Sequence, residues 1–120
     1  FCVEALNDKP GVESKRFLKK FSSNNYAFEY IIANVLKKKN DKAFFVTAIS
    51  LTTNPGHHIV FLGRINGRVS LKPRGDNGFG YDPIFIPNGY KHTFGEMEPK
   101  LKMSIDHRFK AYLKIKNFFT

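Results

Sequence analysis

The residues best suited to chemistry fall in two short clusters toward the C-terminus. The first is "GDNGFGYDPIFIP", residues 75–87. Gly78 and Gly80 let backbone N–H groups approach a bound group with no Cβ in the way. Phe79 and Tyr81 offer faces on which a flat ring could stack. Asp82 offers an acceptor to a base edge or a cation, and Pro83 stiffens the exit. The same composition also describes an ordinary loop or bulge. The second cluster is "KLKMSIDHRFKA", residues 100–111, where Lys100, Lys102, His107, Arg108 and Lys110 gather at or just before a predicted helix start. A helix N-terminus disfavours cations and favours an anion. The cluster therefore makes sense around a phosphate. The other reading is a lysine-rich surface helix that starts elsewhere.

The remaining candidates carry less. Lys15 and Arg16 follow a turn and could reach a phosphate or simply face solvent. Glu96 and Glu98 in "FGEMEP" are a spaced acid pair that could sit near a metal or be plain loop acids. His57-His58 has no Cys or acid at zinc spacing beside it, which argues against a metal site there. Cys2 has no base partner in view and makes no case for a nucleophile.

These residues need elements to hold them. Residues 1–12 read as a short extended piece ending in the turn "NDKPG", after which "VESKRFLKKF" can begin a helix. In "NNYAFEYIIANVLKKK", Phe28, Ile31, Ile32, Val35 and Leu36 fall on one helical stripe. Asn24 or Asn25 is the expected cap, and Lys37, Lys38 and Lys39 suit the negative end of the dipole, a structural account of that run. "AFFVTAISLTT" reads as a strand and "NPGHH" as a loop. Asn66-Gly67, between two apolar runs, predicts a second hairpin turn, giving three antiparallel strands. "PIFIP" is a short strand. The tail from Ser104, the expected cap, is a helix with an apolar face of Ile105, Phe109, Tyr112 and Leu113. The class is mixed α/β with a largely antiparallel sheet flanked by helices, in a single domain spanning 1–120. No internal repeat or low-complexity tract interrupts it.

Composition agrees. The 120 residues are 42% hydrophobic with 13 Phe, enough for one core. No run of about 18 apolar residues predicts a membrane span, and Glu4 and Asp8 stand where a signal peptide would be apolar. A lone cysteine excludes an internal disulfide and suits a reducing compartment, so the expected location is cytoplasmic. A net charge of +10 points to an anionic partner, although lysine in such excess over arginine is also the generic solvent-facing cation. The first residue is Phe rather than Met, which suggests a trimmed start or a piece of a longer chain.

The clusters belong together in one pattern. "EALNDKPGV", "NN" opening a helix, "FLGRINGRV", "GFGYDPIFIP", "TFGEM" and "K…HR…A" occur in this order. The chain resembles the inosine/xanthosine triphosphate pyrophosphatase family, enzymes that clear non-standard purine nucleotides. The resemblance spans nearly the whole chain, and "GFGYDPIF" followed by "TFGEM" is its most specific part. It implies an elongated mixed sheet flanked by helices, with a nucleotide in a cleft between two lobes. It implies Mg2+-dependent hydrolysis of ITP, dITP or XTP to monophosphate and pyrophosphate, in a cytoplasmic homodimer. Matched motif by motif, Phe79, Gly80, Tyr81 and Asp82 would hold the base, with Phe79 stacking and Asp82 reading the purine edge. Lys102, His107 and Arg108 would contact the nucleotide, and Lys15 falls near a substrate-contacting lysine.

The chain departs from the family at its start. Phe1-Cys2-Val3-Glu4-Ala5-Leu6 resembles the stretch just after the family's "DDSG", so the expectation is a fold lacking its first strand and helix. The "TGNxxK" triphosphate loop, the metal acids and the general base would lie outside it. Asp106 stands where the family has Ser, placing a negative charge near the phosphates or pairing with Arg108 or Lys110. Glu13 stands where Tyr is common. The resulting expectation is a nucleoside triphosphate diphosphatase by family. Alone the chain should be weakly active or inactive, with an opened sheet edge, and dependent on a partner or complementing N-terminal chain. The alternative is a non-catalytic basic nucleotide- or nucleic-acid-binding module.

Overall fold

The computed structural model describes residues 1–119. Five strands, β1 (Cys2–Val3), β2 (Lys9–Pro10), β3 (Lys42–Asn54), β4 (His57–Val69) and β5 (Phe85–Pro87), form one antiparallel sheet in the order β2-β1-β3-β4-β5. Four helices accompany it: α1 (Ser14–Lys19), α2 (Asn24–Lys38), α3 (Pro99–Ile105) and α4 (His107–Phe118). The mixed α/β class with an antiparallel sheet is as the sequence predicts.

The sheet is built on one long hairpin. β3 and β4 pair from Lys42↔Arg68 to Asn54↔His57, around the two-residue turn Pro55-Gly56. Proline presets the first central φ, and Gly56 supplies the positive φ, 85°, that the second position needs. The hairpin predicted at Asn66-Gly67 is not there. β4 runs straight through both residues, which pair with Phe44 and Ala43. Gly67 has a packing reason instead. A Cβ on it would lie 2.2 Å from the Ile86 carbonyl oxygen and 2.7 Å from Phe85 Cζ. Glycine there admits β5, whose register puts Pro87 opposite Gly67. Gly63 does the same on behalf of α4: its Cβ would lie 1.9 Å from the His107 carbonyl oxygen and 2.5 Å from Ala111 N.

Along β4, Phe61, Gly63, Ile65, Gly67 and Val69 are buried and the residues between them exposed, the period of two of a half-buried strand. The opposite face of the hairpin leaves Val46, Val60 and Leu62 open to solvent. The core lies between the inner face and α2, with Val3, Ile31, Ile84, Phe85 and Phe94 fully enclosed. Each such side chain contributes about 1.5–3 kcal/mol through burial. Helix α2 buries Ala27, Phe28, Ile31 and Val35, while Leu36, expected on that face, is exposed. Its N-cap is Ser23 rather than Asn24 or Asn25, without a side-chain cap bond, and Lys39 ends it in left-handed backbone.

The C-terminal segment is two helices. Asp106, in extended backbone, ends α3 and caps α4, accepting a hydrogen bond from Phe109 N at 2.8 Å. Ser104, the predicted cap, instead donates to the Leu101 carbonyl inside α3. Tyr112 and Leu113, read as core-facing, are on the exposed side, and Ala111 is the buried contact of α4.

Candidate functional site

The two sequence clusters and "TFGEM" form one physical unit. Thr93 Oγ1 donates to the Arg74 carbonyl (2.6 Å), and Asn77 donates through its backbone N to Gly95 O (2.9 Å) and through Nδ2 to Met97 O (3.0 Å). Gly95 N donates to the Asp82 carbonyl at 2.9 Å. Gly75 sits where a Cβ would be 2.1 Å from the Gly95 carbonyl carbon and oxygen. The pair of motifs therefore belongs together because each loop supplies the other's backbone partners.

Asp82 is buried at the centre. Its Oδ2 accepts from Lys102 Nζ at 2.6 Å and from Phe79 N at 2.9 Å. Breaking so buried an ion pair by removing one partner costs about 3–5 kcal/mol, because the other charge is stranded. The loop closes tightly over it: a Cβ on Gly78, at φ +74°, would touch that same Oδ2 at 2.0 Å. The Phe79 ring is pushed outward and is 63% exposed. Lys102 Nζ lies 4.6 Å and the Arg108 guanidinium 5.2 Å from its centroid.

Phe79 borders two hollows. One, of about 470 Å³, holds Lys102 and Arg108 against an apolar wall that includes Phe94, Met97, Met103, Phe109 and Tyr112. Such a volume, largely apolar with a few convergent polar groups, suits a small ligand. The other, about 410 Å³ and more polar, has Asn24, Asn25, Asp76 and Gly80 on its walls. The arrangement can stack a flat ring on Phe79 and present donors, never acceptors, from Lys102 and Arg108.

Thus Phe79, Gly80, Asp82, Lys102 and Arg108 are brought together, and three other candidates lie differently. Tyr81 is buried in the core, its ring stacked on Phe1 at 4.7 Å and its hydroxyl donating to the Ser14 carbonyl at 2.6 Å. Burial holds its hydroxyl proton and raises its pKa, so the ring anchors the segment rather than offering a free face. His107 opens α4 with its ring face to face on Phe45 (5.1 Å), and its buried Nδ1 has no hydrogen-bond partner among the described residues. Burial lowers its pKa from 6.5 to about 4, against the opposing pull of Asp106. Lys15 lies on α1 beside a separate hollow with Glu13, Arg16 and Lys19.

The weaker candidates have structural partners. Glu96 accepts from Thr93 N at 2.9 Å and pairs with Arg74 at 3.4 Å. The Thr93 backbone bond is the main cause of its lowered pKa. Glu98 stands at the N-cap position of α3 without a side-chain cap bond, and His58 Nδ1 lies 3.1 Å from Thr52 Oγ1. Cys2 is buried, and burial pushes its thiol pKa up. Among the described residues, no three His, Cys, Asp or Glu side chains group as a metal site. The apolar wall was missed by sequence reasoning. Phe109 and Tyr112 look like ordinary helix-core positions until α4 is seen to bury only Ala111.

Comparison with known proteins finds relatives over nearly the whole chain. The Ham1 family matches residues 1–118. Among curated proteins, a dITP/XTP pyrophosphatase of Gluconobacter oxydans is 38% identical over 111 residues, 92% of this chain and 53% of its own length. One of Flavobacterium psychrophilum is 38% identical over 117 residues, 98% of this chain and 61% of its own. Among solved structures, a HAM1 protein from Coxiella burnetii superposes with a TM-score of 0.86 at 30% identity, covering 98% of this chain and 62% of that one. A nucleoside-triphosphatase, dITP/XTP pyrophosphatase, from Mycobacterium abscessus gives 0.80 at 34%, covering 99% and 62%. The chain therefore spans a little over half the length of the relatives it matches. With its two signature loops laced together and the match running over residues 1–118, this chain belongs to the Ham1 family.

Proposed function

We propose that this chain serves the hydrolysis of non-standard purine nucleoside triphosphates (ITP, dITP, XTP) to the monophosphate and pyrophosphate, and that the hollow beside Phe79 holds the purine. The observation that carries the reading is the exposed Phe79 ring with Lys102 and Arg108 both within about 5 Å of its centroid. A base can stack on the ring. Hypoxanthine and xanthine present a 6-oxo acceptor to the two cations, whereas adenine presents an amino donor. Donor facing donor leaves buried polar groups unpaired, and this is the stronger source of discrimination. The names of the relatives, dITP/XTP pyrophosphatase, support the same substrate class.

In the reaction, water attacks at the bond between the α and β phosphates, leaving pyrophosphate. That chemistry rests on positioning and on neutralising charge. The described residues supply the base-holding part. No three metal-ligating side chains group among them, and the turnover we expect from this chain alone is weak or nil. The test is pyrophosphate release from ITP, with ATP as control, at slightly alkaline pH with Mg2+, alongside calorimetric binding of IMP and AMP. IMP binding in clear preference to AMP, with little turnover, is the expected result. Robust Mg2+-dependent turnover by the chain alone would overturn the weak-activity reading, equal binding of AMP would overturn the 6-oxo selectivity, and no binding of either would overturn the purine reading.

A further inference from the structure

Asp82 looks by its place in the sequence like a residue that touches the base. Its surroundings argue for another role. It is 3% exposed, and a single carboxylate oxygen, Oδ2, receives both Lys102 Nζ and the backbone N–H of Phe79. The lysine bond is short at 2.6 Å, and a Cβ on Gly78 would fall on that same oxygen. The Asp82 N–H in turn donates to the Phe79 carbonyl at 3.2 Å, and Gly95 N to the Asp82 carbonyl. The carboxylate thus joins the platform loop to α3, the helix that carries Lys102. Two cations stand near the Phe79 ring, and among the described residues only Lys102 forms an ion pair with this carboxylate.

We propose that Asp82 is a positioning residue, a latch whose buried carboxylate fixes the Phe79 platform and the Lys102 ammonium relative to one another and does not itself contact the base. The functional part of this inference rests on the purine reading of the hollow. Its specificity consequence arises from charge. With Lys102 held by Asp82, the ammonium meets the 6-oxo edge in one place; released, it is a flexible cation that discriminates poorly.

Asp82→Asn and Asp82→Ala separate the two arms. Asparagine keeps one acceptor oxygen for Phe79 N but loses the charge that holds Lys102. Alanine loses both. By NMR hydrogen exchange on the ligand-free chain, the Phe79 amide should exchange at least about tenfold faster in Asp82→Ala and close to the parent rate in Asp82→Asn. Unchanged exchange in Asp82→Ala overturns the tie to the loop, whatever the chain binds. In a cycle with Lys102→Met, Asp82→Asn alone should reduce the IMP-over-AMP preference by about tenfold, and should change it no further when Lys102 is already Met. The double variant should also melt above Lys102→Met, because it no longer buries a lone carboxylate. Equal losses in both backgrounds overturn the latch and return Asp82 to direct contact with the base. A parent chain that binds no IMP defeats the purine reading, while the exchange rates and the melting cycle still decide whether the latch exists.

Discussion

Asp106 illustrates how a residue's role depends on the backbone it lands in. By sequence it is a negative charge close to where phosphates would sit. In the fold its Oδ1 caps α4, and among the described residues it makes no ion pair with Arg108 or Lys110. Serine and aspartate serve almost equally at an N-cap, so this position can cap α4 with either, and the charge of aspartate suits the helix dipole. Asp106→Ser should therefore change unfolding free energy by no more than about 0.5 kcal/mol, and Asp106→Ala should cost about 1 kcal/mol, read from urea denaturation. The neighbouring aromatics make the complementary point. Phe79 and Tyr81 are two residues apart in one glycine-rich segment, yet one is 63% exposed and the other 4%. Residue type shows that both rings can stack. Only the path of the chain through Gly78 and Gly80, each at positive φ, decides which ring faces out.

At the scale of elements, β4 is the organising piece, and its glycines are spacing devices. Gly63 brings α4 against the sheet and Gly67 brings in β5. Gly63→Ala would force Cβ into the backbone at His107 and Ala111, so the helix carrying Arg108 must shift. We expect a destabilisation of about 2–3 kcal/mol in chemical denaturation, together with weakened IMP binding. Helix α2 and strand β3 were legible because their residue patterns are strong. The extra hairpin at Asn66-Gly67 was misread for a physical reason: a glycine chosen for positive φ and one chosen for close approach look identical in sequence. Gly67 keeps ordinary strand backbone, and its neighbours from residues 85–87 are far away along the chain. Helix α3 was missed and the tail helix was started at Ser104, because Ser104 and Asp106 are both good caps and only the extended ψ of 174° at Asp106 chooses between them.

For the whole molecule, the buried imidazole of His107 links stability to pH. Its pKa falls from 6.5 to about 4 on folding, chiefly through burial. Between those values the unfolded chain binds more protons than the folded one, so stability rises with pH there. The contribution is complete above about 6.5 and is lost as pH falls toward 4. It is worth on the order of 2 kcal/mol once the ring's partial exposure is allowed for. Denaturation at pH 7 and pH 4.5 should show this drop in the parent chain and a shallower one in His107→Phe. Glu96, held low mainly by the Thr93 N–H, adds a loss of the same sign at lower pH. Charge and shape act at this scale too. The molecule extends 47 × 28 × 26 Å, carries a net +10, and leaves one face of its long hairpin uncovered at Val46, Val60 and Leu62.

From the sequence alone came whatever local chemistry determines: the mixed α/β class, the 24–38 helix, the strand over 43–53, and the family, through loops whose glycines and aromatics stand in a set order. The tertiary structure decided whatever depends on partners distant in sequence. It joined residues 74–82 to 93–97, turned Tyr81 and His107 inward, and spent the Asp82 charge on Lys102, twenty residues away. The reason is that periodicity and turn propensity are properties of neighbours along the chain. Burial and pairing are properties of neighbours in space, and no single segment contains them.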